Sequence, residues 1–274
     1  MNGNNDSDNS DVLVIGGSVS GLAAGLFTAR HGLDTIVLQG GHTTLLRCSV
    51  LENYLGVPHA DPGEFLELAA EQARDAGCRI RGQRVETLRR DGDTFEAVTS
   101  EGTFAARYIV LATGSENEYL QSFEGGVLYN GEVSHENRSY HVPCDDAGRT
   151  PVEAVYAAGR LAGTEHQALV AAGSGARAGM ALARDAMADR GFPEEIIERY
   201  HDWTVHPHRY EDWDFDSWFE RQVPDDVEDE RFQRLKRRYE QRIDGRIRDD
   251  EQQTQRQEQG EQLLREYLLT DAEQ

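Results

Sequence analysis

Residues 11–41 read DVLVIGGSVSGLAAGLFTARHGLDTIVLQGG, and they set the architecture of the chain. An apolar run at residues 12–15 suits a buried parallel strand, a Gly-Gly pair ends it, and apolar residues at 21–31 recur with helical spacing. A second apolar run follows at residues 35–38. This order predicts a βαβ unit, whose helix N-terminus offers N–H groups and partial positive charge to a phosphate. The stretch therefore predicts nucleotide binding.

The glycine-rich turn departs from the G-x-G-x-x-G pattern at one position. Gly16 and Gly21 occupy the first and third positions, but the second is Ser18. A serine still allows fairly close approach of a phosphate, and its hydroxyl can donate a hydrogen bond. The acidic residue expected further along the chain to hold a ribose hydroxyl is Gln39, which can make that bond without charge. The predicted site is therefore altered and not lost.

Composition restricts the partners and the compartment. The formal net charge of -22 excludes nucleic acid and anionic membrane as surface-driven partners. Lys236 is the only lysine, and the acidic excess predicts a cytoplasmic protein from a salt-adapted organism. Cys48, Cys78 and Cys144 form no C-x-x-C pair, which is typical of a reducing compartment. Residues 1–10 predict a disordered N-terminus, and no apolar run is long enough to cross a membrane.

Residues 11–114 continue the sheet that the first unit begins. After the βαβ unit, the pattern predicts one helix that ends at Gly77. Apolar runs between turn residues then predict a strand at 79–89 and a small antiparallel β-meander. Separate strands are predicted at residues 103–106 and 108–111, the second of them returning to the parallel sheet.

A linker at residues 115–150 separates this half from a second one at 151–190. The second half predicts a strand at residues 154–158 and a helix of small residues at 166–188. The predicted fold class is α/β. It consists of a Rossmann-like parallel sheet with helices and a small antiparallel meander over residues 11–190, followed by an α-helical C-terminal extension.

Five segments of the sequence, taken in order, point to one family. They read VIGGSVSGLAAGLFTARHG, LENYLGVP, YIVLATGS, GRTPVEAVYAAGR and HQALVAAGSGARAG. In this order they resemble the FAD domain of thioredoxin reductase and its relatives among the two-dinucleotide-binding flavoproteins. The resemblance implies an FAD-binding domain at residues 11–190, built from half-motifs at 11–114 and 151–190.

The resemblance implies that residues from both halves bind FAD. The glycine turn would wrap the pyrophosphate, and Gln39 would sit at the adenosine ribose. The loop at 43–53 would pass along the ribityl chain and flavin, and the helix beginning at 166–168 would point its N–H groups at the flavin pyrimidine edge. The full implied set is Gly16, Gly17, Ser18, Gly21, Gln39, Gly40, Thr44, Asn53, Thr113, Gly114, Gly159, Arg160, His166, Gln167 and Ala168.

Two departures from the family pattern stand out. The residue after Gly159 is normally an aspartate that holds a ribityl hydroxyl, whereas here it is Arg160. Arginine cannot accept that hydrogen bond, although it could pair with a phosphate. In thioredoxin reductases an NADPH-binding domain with a C-x-x-C disulfide lies between the two halves. Here residues 115–150 supply about a third of the ~100 residues that such a domain requires, so no NADPH binding in the family's way is expected.

Two side chains are candidates for chemistry. Cys48 would be either a thiol that exchanges electrons with the flavin or a small buried residue in a threonine-like position. His166 would act as an acid or base at the flavin edge, or contribute only its backbone N–H at a helix start. His201, His206 and His208 lack a defensible further ligand, so no metal site is predicted.

Residues 191–274 predict a helical, aromatic-rich extension. All three tryptophans lie within residues 203–219, and such a cluster must be buried somewhere. It could cover the flavin cleft, form a subunit contact, hold a partner protein or pack on the back of the FAD domain. A helix starting near Pro224 carries an apolar stripe and the only basic segment, which predicts docking within the chain or across a dimer. Gln-rich residues 251–260 precede one last short helix.

Three functions are compatible with these patterns. The first is an FAD-dependent oxidoreductase reduced to its flavin domain, homodimeric and supplied with electrons by ferredoxin, free nicotinamide nucleotide or another small carrier. The second is a non-catalytic, degenerate FAD- or nucleotide-binding protein whose C-terminal extension mediates protein–protein interaction. Ser18, Gln39 and Arg160 support this alternative. The third is a compact ferredoxin- or thiol-linked disulfide reductase, which requires Cys48.

Overall fold

A computed structural model describes residues 8–114, 117–121, 123, 141–198, 204–205, 211–224 and 227–269. The chain divides into two compact units, Met1–Ala183 and Arg184–Gln274. This division reflects the packing of the chain, and the limits of the FAD-binding domain stay a prediction.

The first unit contains a seven-stranded sheet with helices. Its strands are β1 (Asp8–Ile15), β2 (Thr35–Leu38), β3 (Arg79–Arg81), β4 (Val85–Asp91), β5 (Thr94–Thr99), β6 (Thr103–Leu111) and β7 (Val155–Ala157). Its helices are α1 (Val19–Arg30), α2 (Pro62–Asp75) and α3 (Ala168–Asp189), the last of which continues into the second unit.

The order of the strands is the one expected of a Rossmann-like sheet with a meander. It runs β3-β2-β1-β6-β5-β4, with β7 also paired to β6. The strands β3, β2, β1, β6 and β7 are parallel to one another, and β6, β5 and β4 are antiparallel. Val12, Leu13 and Val14 of β1 are fully buried, as a central parallel strand requires. The predicted α/β fold class is confirmed.

Three strand boundaries differ from the sequence-based prediction. The strand predicted at 79–89 is two strands, because β3 pairs with β2 whereas β4 pairs with β5. The strands predicted at 103–106 and 108–111 are one strand, β6. Exposed Arg107 interrupts the apolar pattern, but pairing with β1 runs along both halves of β6. Residues 8–10, predicted to be disordered, belong to β1 and pair with β6.

The second unit is helical in its described residues, with α4 (Glu194–Glu198), α5 (Phe215–Gln222), α6 (Asp229–Asp244) and α7 (Asp250–Leu268). The predicted short last helix is wrong, because α7 extends through the Gln-rich segment. Asp249 and Gln252 form a capping box at its start, and glutamine is a good helix former.

The aromatic cluster fills the core of this second unit. The Trp218 ring lies 5.5 Å from that of Tyr239 on α6, and Phe215 stacks on the same ring at 6.3 Å. Phe219 is fully buried and packs against Phe232. The aromatic rings are therefore buried, as expected. They pack against α6, a partner that none of the four sequence-based alternatives included. Trp203 and Tyr210 lie outside the described residues.

Candidate nucleotide-binding cleft

The glycine turn brings α1 very close to the end of β1. Gly16 has a φ of +116°, and a Cβ on it would lie 2.4 Å from the carbonyl oxygen of Ala112. A Cβ on Gly21 would lie 1.7 Å from the carbonyl oxygen of Gly16. Neither position can hold a larger residue unless the backbone moves. The first turn of α1 is therefore held at the carboxyl end of the parallel strands, where nucleotides bind in such sheets.

Ser18 is the residue that precedes α1 and adopts an extended conformation. Its Oγ lies 2.7 Å from Oγ1 of Thr43 and makes no capping bond to α1 within the described chain. The positive end of α1 thus carries no side-chain cap from this residue, and its N–H groups suit an anionic ligand.

Two adjoining cavities form one cleft along this edge of the sheet. The smaller has a volume of about 160 Å³ and the larger about 430 Å³. They share the lining residues Ser18, His42, Thr43, Ala112 and Thr113. Among the residues predicted to bind FAD, the smaller cavity is also lined by Gly16, Gly17, Gln39 and Gly40. The larger is also lined by Thr44, Asn53, Gly114, Arg160, His166, Gln167 and Ala168.

The two remaining predicted residues, Gly21 and Gly159, let backbones approach each other. Gly159 has a φ of +63°, and a Cβ on it would lie 2.7 Å from Oγ of Ser20 in α1. Its N–H donates to Oγ of Ser174 in α3 at 3.0 Å. A Cβ on Gly175 would lie 1.9 Å from the carbonyl oxygen of Ser20. Close packing of α3 on α1 therefore joins the two halves of the motif.

Two side-chain pairs connect the loop at residues 43–53 with the start of α3. Nδ2 of Asn53 donates to Oε1 of Gln167 at 2.7 Å. Oγ1 of Thr44 lies 3.1 Å from Nε2 of His166. All four residues line the larger cavity, so the residues predicted for the flavin end meet in space.

The smaller cavity contains charged residues that the sequence analysis missed. They are Arg84, Glu86 and Glu118, which lie beside Gln39 in the lining. Arg84 and Glu118 form an ion pair, with 3.6 Å between Nη2 of the arginine and Oε2 of the glutamate. The register of β4 shifts between Val85 and Thr87, which is the kind of irregularity that re-aims a side chain. The strand pattern carried no signal for this shift.

Tyr119 is a fourth residue of this cavity that the sequence analysis missed. Its hydroxyl lies 3.1 Å from Oγ1 of Thr113. Burial raises the pKa of Tyr119 well above its ordinary value. The phenol is therefore a neutral hydrogen-bonding group that orients Thr113.

The cysteines occupy three different environments. Cys48 is exposed and lines the larger cavity, so its interpretation as a small buried residue is wrong. Cys78 is the buried thiol, and burial raises its pKa to about 12. Burial, followed by the charges of Asp145 and Asp146, raises the pKa of Cys144. All three are free cysteines.

The described residues contain no group of three or more His, Cys, Asp or Glu side chains that could hold a metal ion. His201, His206 and His208 lie outside them. None of the helices in the described ranges combines the length and apolar character of a membrane span.

The sheet order defines a Rossmann-like fold, with a cleft at the carboxyl end of its parallel strands. Residues 10–141 match the family model of the pyridine nucleotide-disulphide oxidoreductases. A thioredoxin reductase from Treponema pallidum is 30% identical over 140 residues, which is 49% of this chain and 43% of that protein. A bifunctional thioredoxin reductase/thioredoxin from Mycobacterium leprae is 35% identical over 115 residues, 40% of this chain and 25% of that protein. The chain thus spans less than half the length of these curated relatives.

Solved structures show the same fold. A thioredoxin reductase from Gloeobacter violaceus aligns with a TM-score of 0.56 at 20% identity, covering 66% of this chain and 96% of the other. A ferredoxin-flavin thioredoxin reductase from Clostridium acetobutylicum aligns with a TM-score of 0.54 at 17% identity, covering 67% and 99%. Together with the family model and the curated relatives, this confirms the resemblance to the thioredoxin reductase-like flavoproteins over residues 10–141.

Proposed function

We propose that this chain is an FAD-dependent oxidoreductase of the thioredoxin reductase-like class, reduced to its flavin domain. It would pass electrons through the flavin to an acceptor without NADPH held in a second nucleotide-binding domain. One observation carries the proposal: residues from both half-motifs line a single cleft at the carboxyl end of the parallel strands.

The cleft suits a long dinucleotide. The two cavities meet at Ser18, Thr43 and Thr113, beside the first turn of α1. Gly114 lines the larger cavity with a φ of +69°, and no atom of the described residues lies within 4 Å of where its Cβ would be. The cleft thus offers open space beside Gly114. The N-terminus of α1, whose N–H groups suit an anion, lies at its middle, and amide and hydroxyl groups line its larger end.

Each part of the chain would hold a different part of the cofactor. Gln39 would bind the adenosine ribose, and the first turn of α1 would bind the diphosphate. Asn53, His166 and Gln167 would hold the flavin end. Bound FAD would supply the hydride- and electron-transfer chemistry, whereas these residues bind it, orient it and restrict access of water.

The electron donor is the part of the proposal that differs from the family. Residues 115–150 are too few for a second domain of ~100 residues, and the described residues of the second unit form helices. We therefore propose ferredoxin or a free nicotinamide nucleotide as the donor. The Clostridium acetobutylicum protein of the same fold is named a ferredoxin-flavin thioredoxin reductase, which supports ferredoxin as a candidate donor. We also propose the cytoplasm of a salt-adapted organism, on the composition of the chain, and a homodimer, across which the basic amphipathic helix would dock.

A second candidate function is a non-catalytic FAD- or nucleotide-binding protein whose C-terminal extension binds another protein. The extension forms a compact unit with its own core of α5 and α6 around Phe219 and Tyr239, so a function separate from that of the sheet is possible for it. The altered positions Ser18, Gln39 and Arg160 favour this second function. In this case FAD would bind without being reduced by any physiological donor.

The test begins with the full-length chain incubated with FAD, desalted and examined by absorption spectroscopy. Retained flavin absorbance is expected, and anaerobic titration with NADPH, NADH and reduced ferredoxin should bleach it with at least one donor. A colourless protein would refute FAD binding. Flavin that binds but stays oxidised with all three donors would favour the second function, and a partner lost on deletion of residues 200–274 would then support it.

A further inference from the structure

Arg160 lies beside the first turn of α1. Gly159, directly before it, packs against Ser20, the second residue of α1, with 2.7 Å between a Cβ on the glycine and Oγ of the serine. Neighbouring Cα atoms are ~3.8 Å apart, so the Arg160 backbone is close to the same turn. The Arg160 side chain lines the larger cavity together with Ser18, Val19 and Ser20.

The backbone of Arg160 is held in place from several sides. Residues Gly159–Ala162 form one turn of 3₁₀ helix, in which Leu161 is fully buried. The carbonyl oxygen of Arg160 lies 3.2 Å from Nδ1 of His141 and accepts the N–H of Gly163 at 2.9 Å. These contacts hold the Arg160 backbone at the edge of the larger cavity, which Arg160 lines.

The charge of Arg160 has no carboxylate within ion-pair distance among the described residues. Glu52 and Glu165 line the same cavity but do not pair with it. The chain has 50 acidic and 28 basic side chains, so carboxylate partners are plentiful. An arginine in a cleft of such a chain that pairs with no described carboxylate points to an anionic ligand.

We infer that Arg160 and the N–H groups of the first turn of α1 together bind the diphosphate of a dinucleotide. A guanidinium group forms paired hydrogen bonds with phosphate oxygens, and a helix N-terminus binds the same group through its backbone. Arg160 thus replaces a contact to the ribityl chain with a contact to the diphosphate. The inference rests on the proposed binding of a dinucleotide in this cleft.

Measuring ADP binding distinguishes diphosphate binding by Arg160 from the mere loss of a contact to the ribityl chain, because ADP has a diphosphate and no ribityl chain. Dissociation constants of the full-length chain for FAD, ADP and adenosine are measured by calorimetry. The variants are Arg160→Ala and Arg160→Asp, and the control is Arg177→Ala. Arg177 is an exposed arginine of α3 that donates to the carbonyl oxygen of Asp146 and does not line the cavity. Thermal unfolding of each variant verifies that it is folded.

Arg160→Ala is expected to weaken ADP and FAD binding about tenfold, and Arg160→Asp to weaken ADP binding further by repulsion. Adenosine binding and the Arg177→Ala protein should stay within about twofold of wild type. The salt dependence of ADP binding should also become shallower in Arg160→Ala.

ADP binding that is unchanged in Arg160→Ala would overturn the inference while leaving FAD binding intact. Tighter FAD binding by Arg160→Asp than by wild type would overturn it as well. Arg160-dependent ADP binding without FAD binding would support the inference and refute the proposed flavin function. A wild-type chain that binds neither FAD nor ADP would refute both.

Discussion

The contact between α3 and α1 provides a direct test of how the two half-motifs form one cleft. A Cβ on Gly175 would lie 1.9 Å from the carbonyl oxygen of Ser20 and 2.7 Å from its carbonyl carbon. These are backbone atoms, which cannot rotate away as a side chain can. Gly173, two residues earlier in α3, is exposed, and no described atom lies within 4 Å of where its Cβ would be. Gly175→Ala and Gly173→Ala are therefore matched variants.

The two variants are expected to change stability in opposite directions. Alanine in place of glycine inside a helix stabilises a protein by about 0.5–1 kcal/mol, and both variants gain this term. Gly175→Ala must also push α3 away from α1, which costs about 1–3 kcal/mol as overpacking. The difference between the two variants isolates that cost. Since His166 and Gln167 directly precede the displaced helix, FAD affinity should fall in Gly175→Ala only.

Urea denaturation followed by far-ultraviolet circular dichroism measures the free energy of unfolding. All three tryptophans lie within residues 184–274, so their fluorescence reports unfolding of the second unit separately from the circular dichroism signal. A Gly175→Ala protein as stable as Gly173→Ala, with equal FAD affinity, would refute the close packing of α3 on α1.

Three further predictions concern other parts of the chain. Phe219→Ala should lower the free energy of unfolding of the second unit by about 3–5 kcal/mol, seen as a tryptophan fluorescence transition at lower urea, because it empties a fully buried site. An unshifted transition would contradict this. Cys48→Ser should leave FAD affinity and flavin reduction within about twofold of wild type if the flavin alone carries the electrons, whereas lost turnover would favour a disulfide reductase. Burial raises the pKa of Cys78 from 9.0 in the unfolded chain to about 12, so stability should fall as pH rises through this range. Cys78→Ala should flatten that part of the stability profile, and a thiol reagent should label Cys78 only after unfolding.

The sequence predicted the elements whose evidence is local. The apolar runs of β1 and β2, the glycine turn and the start of α2 after Asp61 all depend on residues next to one another. Asp61 illustrates this, since its side chain accepts the N–H of Gly63 and of Glu64 within one turn. Gly16, Ser18, Gly21 and Gln39 were found in the same way, because their motif is short and follows a strand. The family resemblance implied the other predicted residues of the cleft.

Predictions that depended on distant partners were less complete. The break between β3 and β4 and the continuity of β6 follow from which strand lies alongside, and this information is not in the segment itself. Three charged residues of the cleft also lacked a local signal. Glu86 lies at the register shift of β4, Arg84 directly precedes that strand, and Glu118 begins a turn of 3₁₀ helix. The aromatic rings were expected to be buried, but their pairing with Tyr239 follows from the packing of α5 on α6.

The order of apolar runs and glycines was sufficient to predict the parallel α/β sheet and to place a candidate nucleotide site at its edge, because backbone geometry makes such patterns local. Which side chains share that site required the folded chain. Asn53 and Gln167 are 114 positions apart, and they meet because glycines let α3 settle directly on the backbone of α1. Contacts of this kind depend on the distance between two packed backbones, and a run of neighbouring residues contains no measure of that distance.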